Sequence, residues 1–273
     1  MYCGVDIGGT KVLMALFSEK GTLEKSIKFP TPKKYPDLLS ELHKHSLELV
    51  ENGDFFAAGI AIPGRIDREL GTGISFGNLG WKNVPIQRDA EHILNCPVAI
   101  ENDAKAGAFS EALCILEDYK KVMYVAIGTG IGLGYVVDGV IDVDFGDRGG
   151  NQLLLPFQGK LQTWESFASG KAIVNRYGKR AEDINDQRIW KRISQDLASG
   201  IVELMALVDI DAVVIGGGVG KYFAKYGKLL NAAVKKYETP VMPAPVILPA
   251  KHPDEAVVYG GYELAKRAYG HPS

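Results

Sequence analysis

The chain has 273 residues, a formal net charge of -2 and 46% hydrophobic residues, which is typical of a soluble globular protein. This charge balance argues against a nucleic-acid partner, and no apolar run is long enough to span a bilayer, so no membrane partner is expected. The first residues lack the basic and apolar regions of a signal peptide, and the three cysteines include no CxxC pair. We therefore expect reduced thiols and a cytoplasmic location.

Predicted strands and helices alternate along most of the chain, which indicates an α/β protein. Apolar periodicity and turn residues predict the following elements in chain order: strands at 2–8, 11–18 and 24–29, a helix at 38–50, a strand at 56–62, a helix at 86–94, a strand at 97–100, a helix at 102–116, strands at 121–127 and 131–137, a loop-rich stretch at 142–162, helices at 169–179 and 187–208, a strand at 212–215, a helix at 221–236, a strand at 246–248 and a helix at 254–268.

A weak internal repeat suggests that the chain has two related halves. Residues 5–12 read VDIGGTKV and residues 125–132 read VAIGTGIG, and each stretch predicts a buried strand, a turn of small residues and a second strand. Two such hairpins predict two related domains that face each other. We place the first domain at 1–103, together with a C-terminal helix at about 254–273, and the second domain at 104–253.

The turn between the first two predicted strands has the composition of a phosphate-binding loop. Gly8 and Gly9 have no side chains to block a close ligand, and their backbone N–H groups can converge on phosphate oxygens. Thr10 adds a hydroxyl, Lys11 adds a cation, and Asp6 is a candidate to hold Mg²⁺ directly or through water. A plain β-hairpin is the better explanation of a lone Gly-Gly turn, but the flanking acid and Thr-Lys pair favour a ligand site here.

A second turn, with Gly128, Thr129 and Gly130, has the same character. A strand follows it, so it does not fit the dinucleotide fingerprint that opens a helix, and it lacks the GK[ST] ending of a Walker loop. A third glycine cluster at 216–218 lies between a strand and a helix. Such a turn suits an adenosine face or an α-phosphate, and tight packing explains it equally well.

Asn102 and Asp103 end a short predicted strand and open a helix. Asn and Asp are preferred helix N-caps, which is the structural explanation for this pair. As a functional site, Asp103 would accept the proton of a sugar hydroxyl, and Asn102 would hydrogen-bond a neighbouring hydroxyl. Phosphoryl transfer needs little more than positioning, charge neutralisation and one base near the nucleophile. The helix N-terminus would help to keep Asp103 ionised, so the two roles are compatible.

Together these motifs resemble the ROK family (repressors, open reading frames and kinases), a branch of the actin-like ATPase fold. The matching stretches follow the family's order and span most of the chain: 6–11 (DIGGTK), 59–64 (GIAIPG), 78–81 (NLGW), 101–104 (ENDA), 128–134 (GTGIGLG), 164–170 (WESFASG) and 216–219 (GGGV). The resemblance implies an α/β protein of two actin-like (ribonuclease H-like) domains facing across a nucleotide and sugar cleft. It also implies a sugar kinase that uses ATP and Mg²⁺.

The resemblance implies roles for single residues as well. Asp103 matches the family's catalytic base. The stretches 6–11 and 128–130 match its two phosphate loops, and Gly217 lies in its adenosine region. The positions that match sugar contacts are Gly64, Arg65, Asn78, Asn102, Asp147 and Glu165.

One stretch departs from the family pattern. The family usually has AGExGH followed by a CxCGxxGC cluster, and these bind structural zinc. Here Asp147 stands where Glu is usual, Gly150 stands where His is usual, and no cysteine follows Cys114. Because zinc needs soft or imidazole ligands at close spacing, we expect no structural zinc. Packing of Phe157 and of the leucines at 153–155 is expected to support the sugar site instead.

The expected reaction is ATP-dependent phosphorylation of a hexose hydroxyl, with glucose at O6 as the default and Asp103 as the general base. An N-acetylated amino sugar and fructose are alternative substrates, and polyphosphate is a less favoured donor. A repressor of the same family is disfavoured, because the chain starts on the first phosphate-loop strand at Tyr2. A catalytically silent sugar-binding regulator stays an alternative, because 147–150 is altered. Family members are often dimers, so a homodimer is possible.

Overall fold

The structure, a computed structural model, describes residues 1–50, 54–146 and 152–270. It divides into two units, of which unit 1 comprises Met1–Ser110 with the C-terminal segment from Val257, and unit 2 comprises Glu111–Ala256. The domain limits expected from the sequence, at 103 and about 254, stay a prediction. None of the helices in the described ranges has the length and hydropathy needed to cross a bilayer.

Unit 1 has two sheets and the helices that cover them. Its strands are β1 (Tyr2–Ile7), β2 (Lys11–Phe17), β3 (Leu23–Pro30), β4 (Ala57–Ile62), β5 (Arg65–Asp67), β6 (Thr72–Phe76), β7 (Leu79–Val84) and β8 (Val98–Asn102). Its helices are α1 (Tyr35–Leu49), α2 (Ile86–Leu94), the first part of α3 (Asp103–Leu113) and almost all of α9 (Ala256–Tyr269).

Unit 2 has one large sheet, one hairpin and five helices among its described residues. Its strands are β9 (Lys121–Ile127), β10 (Ile131–Val137), β11 (Val140–Ile141), β12 (Leu154–Phe157), β13 (Lys160–Thr163), β14 (Ala212–Gly216) and β15 (Val246–Pro249). Its helices are α4 (Trp164–Ala168), α5 (Gly170–Tyr177), α6 (Gln187–Met205), α7 (Gly217–Gly220) and α8 (Phe223–Lys235), with a 3-10 turn at Ala181–Asp183.

The large sheets of the two units have the same topology. Their strand orders are β3-β2-β1-β4-β8 and β11-β10-β9-β14-β15. In each sheet the first three strands are antiparallel and the last three are parallel. The first and second strands of each repeat, β1-β2 and β9-β10, occupy equivalent places. The internal repeat predicted from the two glycine hairpins is therefore confirmed.

Alternate residues of strand β1 pack on opposite faces of the sheet. Val5 packs in one core cluster with Leu38 of α1, whereas Tyr2 packs on the opposite face, where its ring meets Tyr262 of α9 edge-on at 5.6 Å. Because successive strand residues point to opposite faces, Asp6 lies on the same face as Tyr2, at the carboxyl end of the strand. An acidic side chain is thereby set at the sheet edge where β1 turns into β2.

The main differences from the predicted elements lie at 65–84 and 142–162. Strands β5, β6 and β7 form a separate sheet in a segment for which no element was predicted, because the strands are short and bulges at Arg65/Ile66 and Ser75/Phe76 break the alternation. The expectation of a loop-rich 142–162 is wrong in part, because β12 pairs with β13. Gln158 and Gly159 both have positive φ and form the two-residue turn, without the Asn-Gly signal that predicts one.

Helix α9 approaches the unit 1 sheet through glycines. A Cβ added at Gly59 in β4 would lie 1.9 Å from the carbonyl oxygen of Gly261, and one added at Gly4 would lie 2.3 Å from that of Val258. Backbone meets backbone at these positions, so no side-chain movement can make room. The C-terminal helix therefore packs tightly only because β1 and β4 carry glycine where it crosses them.

We expect Gly59→Ala to lower the free energy of unfolding by about 1–3 kcal/mol or more, because a methyl group is forced against a helix backbone. Gly80→Ala is the matched control, since a Cβ at this exposed strand position meets nothing within 4 Å. Urea unfolding of both variants measures the difference. Equal stability of the two variants would contradict the close packing of α9.

Candidate active site

The loop between β1 and β2 is a tight turn held from two sides. The Gly8 N–H donates to the Lys11 carbonyl oxygen at 3.0 Å and closes the turn. Thr31, directly after β3, donates from its hydroxyl to the Gly8 carbonyl oxygen at 2.6 Å and from its N–H to the Thr10 carbonyl oxygen at 3.1 Å. Thr31 was not singled out from the sequence, and its position after a strand gave no signal. The exposed side chains of Thr10 and Lys11 stay available to a ligand.

The side chain of Asn78 packs directly against the backbone of Gly9. A Cβ on Gly9 would lie 2.4 Å from Asn78 Oδ1, so the loop backbone and this amide are in direct contact. Trp81 of the same NLGW motif is buried, and its indole N–H donates to the Lys33 carbonyl oxygen at 3.0 Å. The motif thus combines an anchor in the core with a polar side chain at the β1-β2 loop. The structure brings Asn78 together with Gly9.

Strand β8 delivers Asn102 and Asp103 to the start of α3. The Ala104 N–H lies 3.0 Å from Asn102 Oδ1 and 2.7 Å from Asp103 Oδ1, and the Lys105 N–H donates to Asn102 Oδ1 at 3.3 Å. Asn102 therefore caps the helix. Its Nδ2 donates to the Gly64 carbonyl oxygen at 3.1 Å, which ties the cap to the loop after β4.

The loop after β4 places Gly64 in a conformation that favours glycine. Gly64 has φ +96°, and a Cβ there would lie 2.3 Å from the Ser75 carbonyl oxygen of β6. Arg65 follows at the start of β5 with an exposed side chain. The predicted sugar-side residues Gly64, Asn78 and Asn102 thus each contact another part of unit 1. No hydrogen bond or ion pair described for this part of the chain joins the Arg65 side chain to these three residues.

Asp6 at the end of β1 and Asp103 at the start of α3 both have raised pKa values. Burial raises the pKa of Asp103 to about 6, against the effect of the hydrogen bonds from the backbone and Asn102. Burial, and then the charge of Asp103, raises the pKa of Asp6 to about 7, while Lys11 and Lys28 act to lower it. A base with a pKa near neutral accepts a proton from a hydroxyl more readily than an ordinary carboxylate does.

The sequence gave no reason to single out Arg68, which bonds to the residue before Asn102. Its Nε donates to Glu101 Oε2 at 3.0 Å and its Nη2 donates to Oε1 at 2.5 Å. Glu101 belongs to the ENDA stretch, but its partner lies in the turn after β5, which no motif covers. Only the fold brings these two residues together.

In unit 2 the loop between β9 and β10 is closed in the same way as the first loop. The Gly128 N–H donates to the Gly130 carbonyl oxygen at 2.9 Å, and the Gly170 N–H donates to the Gly128 carbonyl oxygen at 2.8 Å. Gly170 begins α5, which Ser169 caps by accepting from the Ala172 N–H at 3.2 Å. A Cβ at Gly128 would meet nothing within 4 Å, so this backbone is open to a ligand.

Glu165 supports this second loop. Its Oε2 accepts a hydrogen bond from the Ile131 N–H at 2.8 Å, and a Cβ on Gly130 would lie 2.2 Å from the same oxygen. The residue was expected to contact a sugar, and that role stays a prediction. The structure adds a contact that the sequence did not suggest, in which the carboxylate of α4 holds the strand that follows the loop.

The third glycine cluster, 216–218, forms the turn from β14 to α7 and packs against the carboxyl end of β9. Gly217 has φ +76°, and a Cβ there would lie 2.7 Å from the Ile127 carbonyl oxygen. Gly128, the residue after Ile127, is bonded through its carbonyl oxygen to the Gly170 N–H. Unit 2 therefore brings the predicted nucleotide residues Gly128, Thr129, Gly130 and Gly217 together at one strand end with little side-chain bulk.

The model of the ROK family matches residues 2–268 of this chain. The chain belongs to the ROK family.

Relatives and a solved structure extend over nearly the same region. A putative fructokinase of Bacillus subtilis is 27% identical over 98% of this chain and 96% of its own length. A glucokinase of Streptomyces coelicolor is 26% identical over 79% of this chain and 81% of its own length. The crystal structure of a ROK family glucokinase from Streptomyces griseus in complex with glucose and AMPPNP has a TM-score of 0.83 at 22% identity, covering 97% of this chain and 99% of that chain. The predicted family and the α/β fold with two actin-like domains are confirmed.

In the segment where packing of leucines and Phe157 was expected, this chain has the β12-β13 hairpin. Phe157 of β12 stacks on Phe167 of α4 with ring centroids 4.3 Å apart, and the Arg176 guanidinium lies 4.9 Å from the centroid of Phe157. Arg176 also donates to the Phe167 carbonyl oxygen at 2.6 Å and forms an ion pair with Asp196. This stack joins the hairpin to the helix that carries Glu165.

The predicted packing of the leucines is correct only in part. Leu155 is buried and Leu153 packs against the core, but Leu154 is 57% exposed, because alternate residues of β12 face opposite sides. Asp147 and Gly150 lie outside the described residues, so their roles stay predictions. Among the residues that the structure describes, no three His, Cys, Asp or Glu side chains form a group suited to a metal ion.

We expect Asp103→Asn to raise the thermal midpoint of the free protein at pH 8. Burial raises the pKa of Asp103 from 3.8, its value in the unfolded chain, to about 6 in the folded protein. The raised pKa therefore leaves the folded protein at its most stable below pH 3.8, where the group is protonated in both states. That stability is lost as the pH rises through 6. At pH 8 the ionised group costs folding free energy of the order of 3 kcal/mol, and the neutral amide does not carry this cost. Thermal unfolding of variant and wild type at pH 5 and pH 8 measures the difference.

The exposed Asp54→Asn is the control for this comparison, and it should change the midpoint equally at both pH values. A stabilisation by Asp103→Asn that is the same at pH 5 and pH 8, or its absence at pH 8, would show that Asp103 does not carry a raised pKa.

Proposed function

We propose that this ROK sugar kinase transfers the γ-phosphoryl group of ATP to a hexose hydroxyl, with glucose at O6 as the first substrate to test and Asp103 as the general base. The observation that carries the proposal is the arrangement of Asp103, Asn102 and the Gly64 loop in unit 1. There a carboxylate with a pKa of about 6 follows directly on Asn102, whose amide holds the Gly64 loop. The ROK assignment supports reading this arrangement as a sugar site.

In the proposed reaction Asp103 takes the proton of the attacking sugar hydroxyl. The O–H bond breaks as the oxygen forms a bond to the γ-phosphorus, and the bond from that phosphorus to the β,γ-bridging oxygen breaks, which leaves ADP and a hexose phosphate. At neutral pH a carboxyl group with a pKa of about 6 is mostly ionised and ready to accept. Asn102 is proposed to orient a neighbouring hydroxyl while it caps α3.

The glycine loops are proposed to bind the nucleotide. The β1-β2 loop offers the Thr10 hydroxyl and the Lys11 ammonium beside a backbone held by Thr31, and the β9-β10 loop offers open space at Gly128 beside the exposed Thr129. Polar and cationic groups placed in this way stabilise charge on a transferring phosphoryl group. Gly217 is proposed to admit the adenosine portion of the nucleotide, because this residue, directly after β14, has no side chain to obstruct a ligand.

Asp6 is a suitable ligand for a divalent cation. The residue is half-buried by solvent exposure, its carboxylate is repelled by the charge of Asp103, and a cation would relieve both penalties. When bound with ATP, Mg²⁺ supplies charge neutralisation at the phosphate oxygens. Asp6 is proposed to hold it directly or through water.

The remaining sugar contacts are proposed at Gly64, Arg65, Asn78, Asp147 and Glu165. The relatives named above include a putative fructokinase as well as a glucokinase, so fructose is the second candidate substrate. The thiol form of Cys3, Cys96 and Cys114 and the proposed use of ATP support a proposed cytoplasmic location.

The test is ADP release from Mg-ATP in the presence of glucose, fructose, mannose, N-acetylglucosamine or N-acetylmannosamine. We expect at least one of these sugars to raise ADP release far above the ATP-only rate, with glucose as the first choice. Replacing ATP with polyphosphate tests the donor. ADP release that no sugar raises above background would reject the proposed function.

Asp103→Asn should lower turnover by about 10²-fold or more with the best sugar, because the amide keeps the shape of the carboxylate and cannot accept the proton. Asp54→Asn, an exposed change in the same unit, should leave turnover unchanged. Initial rates at saturating sugar and ATP measure both variants. Turnover of Asp103→Asn within threefold of wild type would remove Asp103 from the role of base.

A further inference from the structure

The residue before Asn102 is a buried carboxylate with three hydrogen bonds. Glu101 is only 4% exposed. Its Oε2 accepts from Arg68 Nε at 3.0 Å, and its Oε1 accepts from Arg68 Nη2 at 2.5 Å and from the Asn102 N–H at 2.7 Å. The guanidinium thus forms a two-pronged pair with a carboxylate that also grips the backbone of the next residue.

Arg68 comes from the sugar-side segment of the fold. It lies in the turn directly after β5, four residues beyond Gly64, and the Leu70 N–H shapes this turn by donating to Asp67 Oδ1 at 3.0 Å. Two links therefore join this segment to the junction of β8 and α3. One is the bond from Asn102 Nδ2 to the Gly64 carbonyl oxygen, and the other is the Arg68–Glu101 pair.

We propose that Arg68 is a positioning residue for the sugar kinase reaction, acting through Glu101 on Asn102 and Asp103. The proposal rests on the proposed function for its kinetic consequences and on the structure alone for its effect on the β8-α3 junction. Because Arg68 acts through its pair with Glu101, it is proposed as a positioning residue and not as a catalytic one. Its role is to fix where the base stands.

The physical reason is the cost of an unpaired buried carboxylate. Without the guanidinium, Glu101 would be a charge of low exposure with one backbone N–H as its remaining described partner, and breaking such a pair is strongly unfavourable. Glu101 would turn toward water, and its hydrogen bond from the Asn102 N–H would weaken. The N–H that Glu101 binds belongs to Asn102, which caps α3 and directly precedes Asp103, the proposed base.

The pair is specific for arginine. A guanidinium presents two parallel N–H donors to the two carboxylate oxygens, whereas an ammonium presents a point charge that cannot match both. Arg68→Lys should therefore restore the charge without restoring the position of Glu101. Displacements of about 1 Å at a reacting group cost on the order of 10²-fold in rate, so a small shift of the junction is enough to be measured.

Arg68→Met tests the proposal, with Arg88→Met as its matched control. Arg88 is an exposed arginine of the same unit whose side chain pairs only with the neighbouring Asp89 in the bonds described. With the best sugar, we expect Arg68→Met to lower kcat/KM for the sugar by about 10-fold or more and to leave KM for ATP within twofold. Arg68→Lys should recover little of the loss, and Arg88→Met should match wild type.

The double variant Arg68→Met/Glu101→Gln tests whether the two residues act as one unit. If they do, its loss should be no larger than that of the more damaged single variant, because the second change removes a partner that has already lost its role. Glu101→Gln keeps the shape of the side chain and serves as the second variant if Arg68→Met folds poorly. Losses that multiply in the double variant, or a kcat/KM within twofold of wild type in the single ones, would overturn the proposal.

Hydrogen exchange of the Asn102 and Ala104 amides tests the same idea without any sugar. We expect these amides to exchange faster in Arg68→Met than in wild type or Arg88→Met, while amides in the centre of β1 keep their wild-type rate. This readout separates the proposal from the proposed function, because it applies even if no sugar is phosphorylated. Wild-type exchange at both amides in a folded Arg68→Met protein would overturn the positioning role.

Discussion

Two carboxylates lie within electrostatic reach of each other in unit 1, at the carboxyl end of β1 and at the start of α3. Burial raises the pKa of both, and the charge of Asp103 raises that of Asp6 further. At neutral pH this arrangement opposes folding, since each group would be more favourably ionised in water. The surrounding contacts offset part of that cost and leave a base near neutrality.

The contacts around these carboxylates explain much of unit 1. The Ala104 N–H and the Asn102 side chain stabilise the charged form of Asp103, and Lys11 and Lys28 do so for Asp6. Burial itself comes from the sheet, whose last three strands are parallel and end at the same edge. The tight packing of α9 through Gly59 keeps that sheet covered. The reactivity proposed for Asp103 is thus a consequence of where the sheet ends.

The two glycine hairpins share a fold but differ in what holds them. The first loop is fixed by Thr31 and Asn78, and it exposes a hydroxyl and an ammonium. The second loop is fixed by Glu165 and by Gly170, and it exposes the Thr129 side chain. One repeated supersecondary unit is therefore held by different partners in the two units. Those partners are distant in the sequence from each loop.

The sequence predicts the elements with strong periodicity and the motifs that are local. The hairpins at 2–17 and 121–137, the helix at 86–94 and the cap at Asn102 all follow from nearby residues, and their agreement with the structure reflects local turn and capping chemistry. The small β5-β7 sheet was missed because bulges disrupt its alternation. Contacts such as Arg68 with Glu101 were missed because only tertiary structure joins residues 33 positions apart.

The same limit applies to the stretch that departs from the family. Missing cysteines were visible in the sequence, but the stacking of Phe157 on Phe167 under Arg176 was not, because its three members lie on a hairpin and two different helices. That stack links the hairpin to α4 and so to Glu165. Sequence patterns name the residues of a site, and the packing around them decides how firmly each one is held.

The pH dependence of kcat/KM for the best sugar tests the central claim most directly, since in the free enzyme it reports the ionisation of the base. The account predicts a rate that is constant above neutrality and falls tenfold per pH unit below an apparent pKa near 6, as buried Asp103 becomes protonated. A profile that stays flat down to about pH 4.5, near the ordinary range of an exposed carboxyl group, would contradict it.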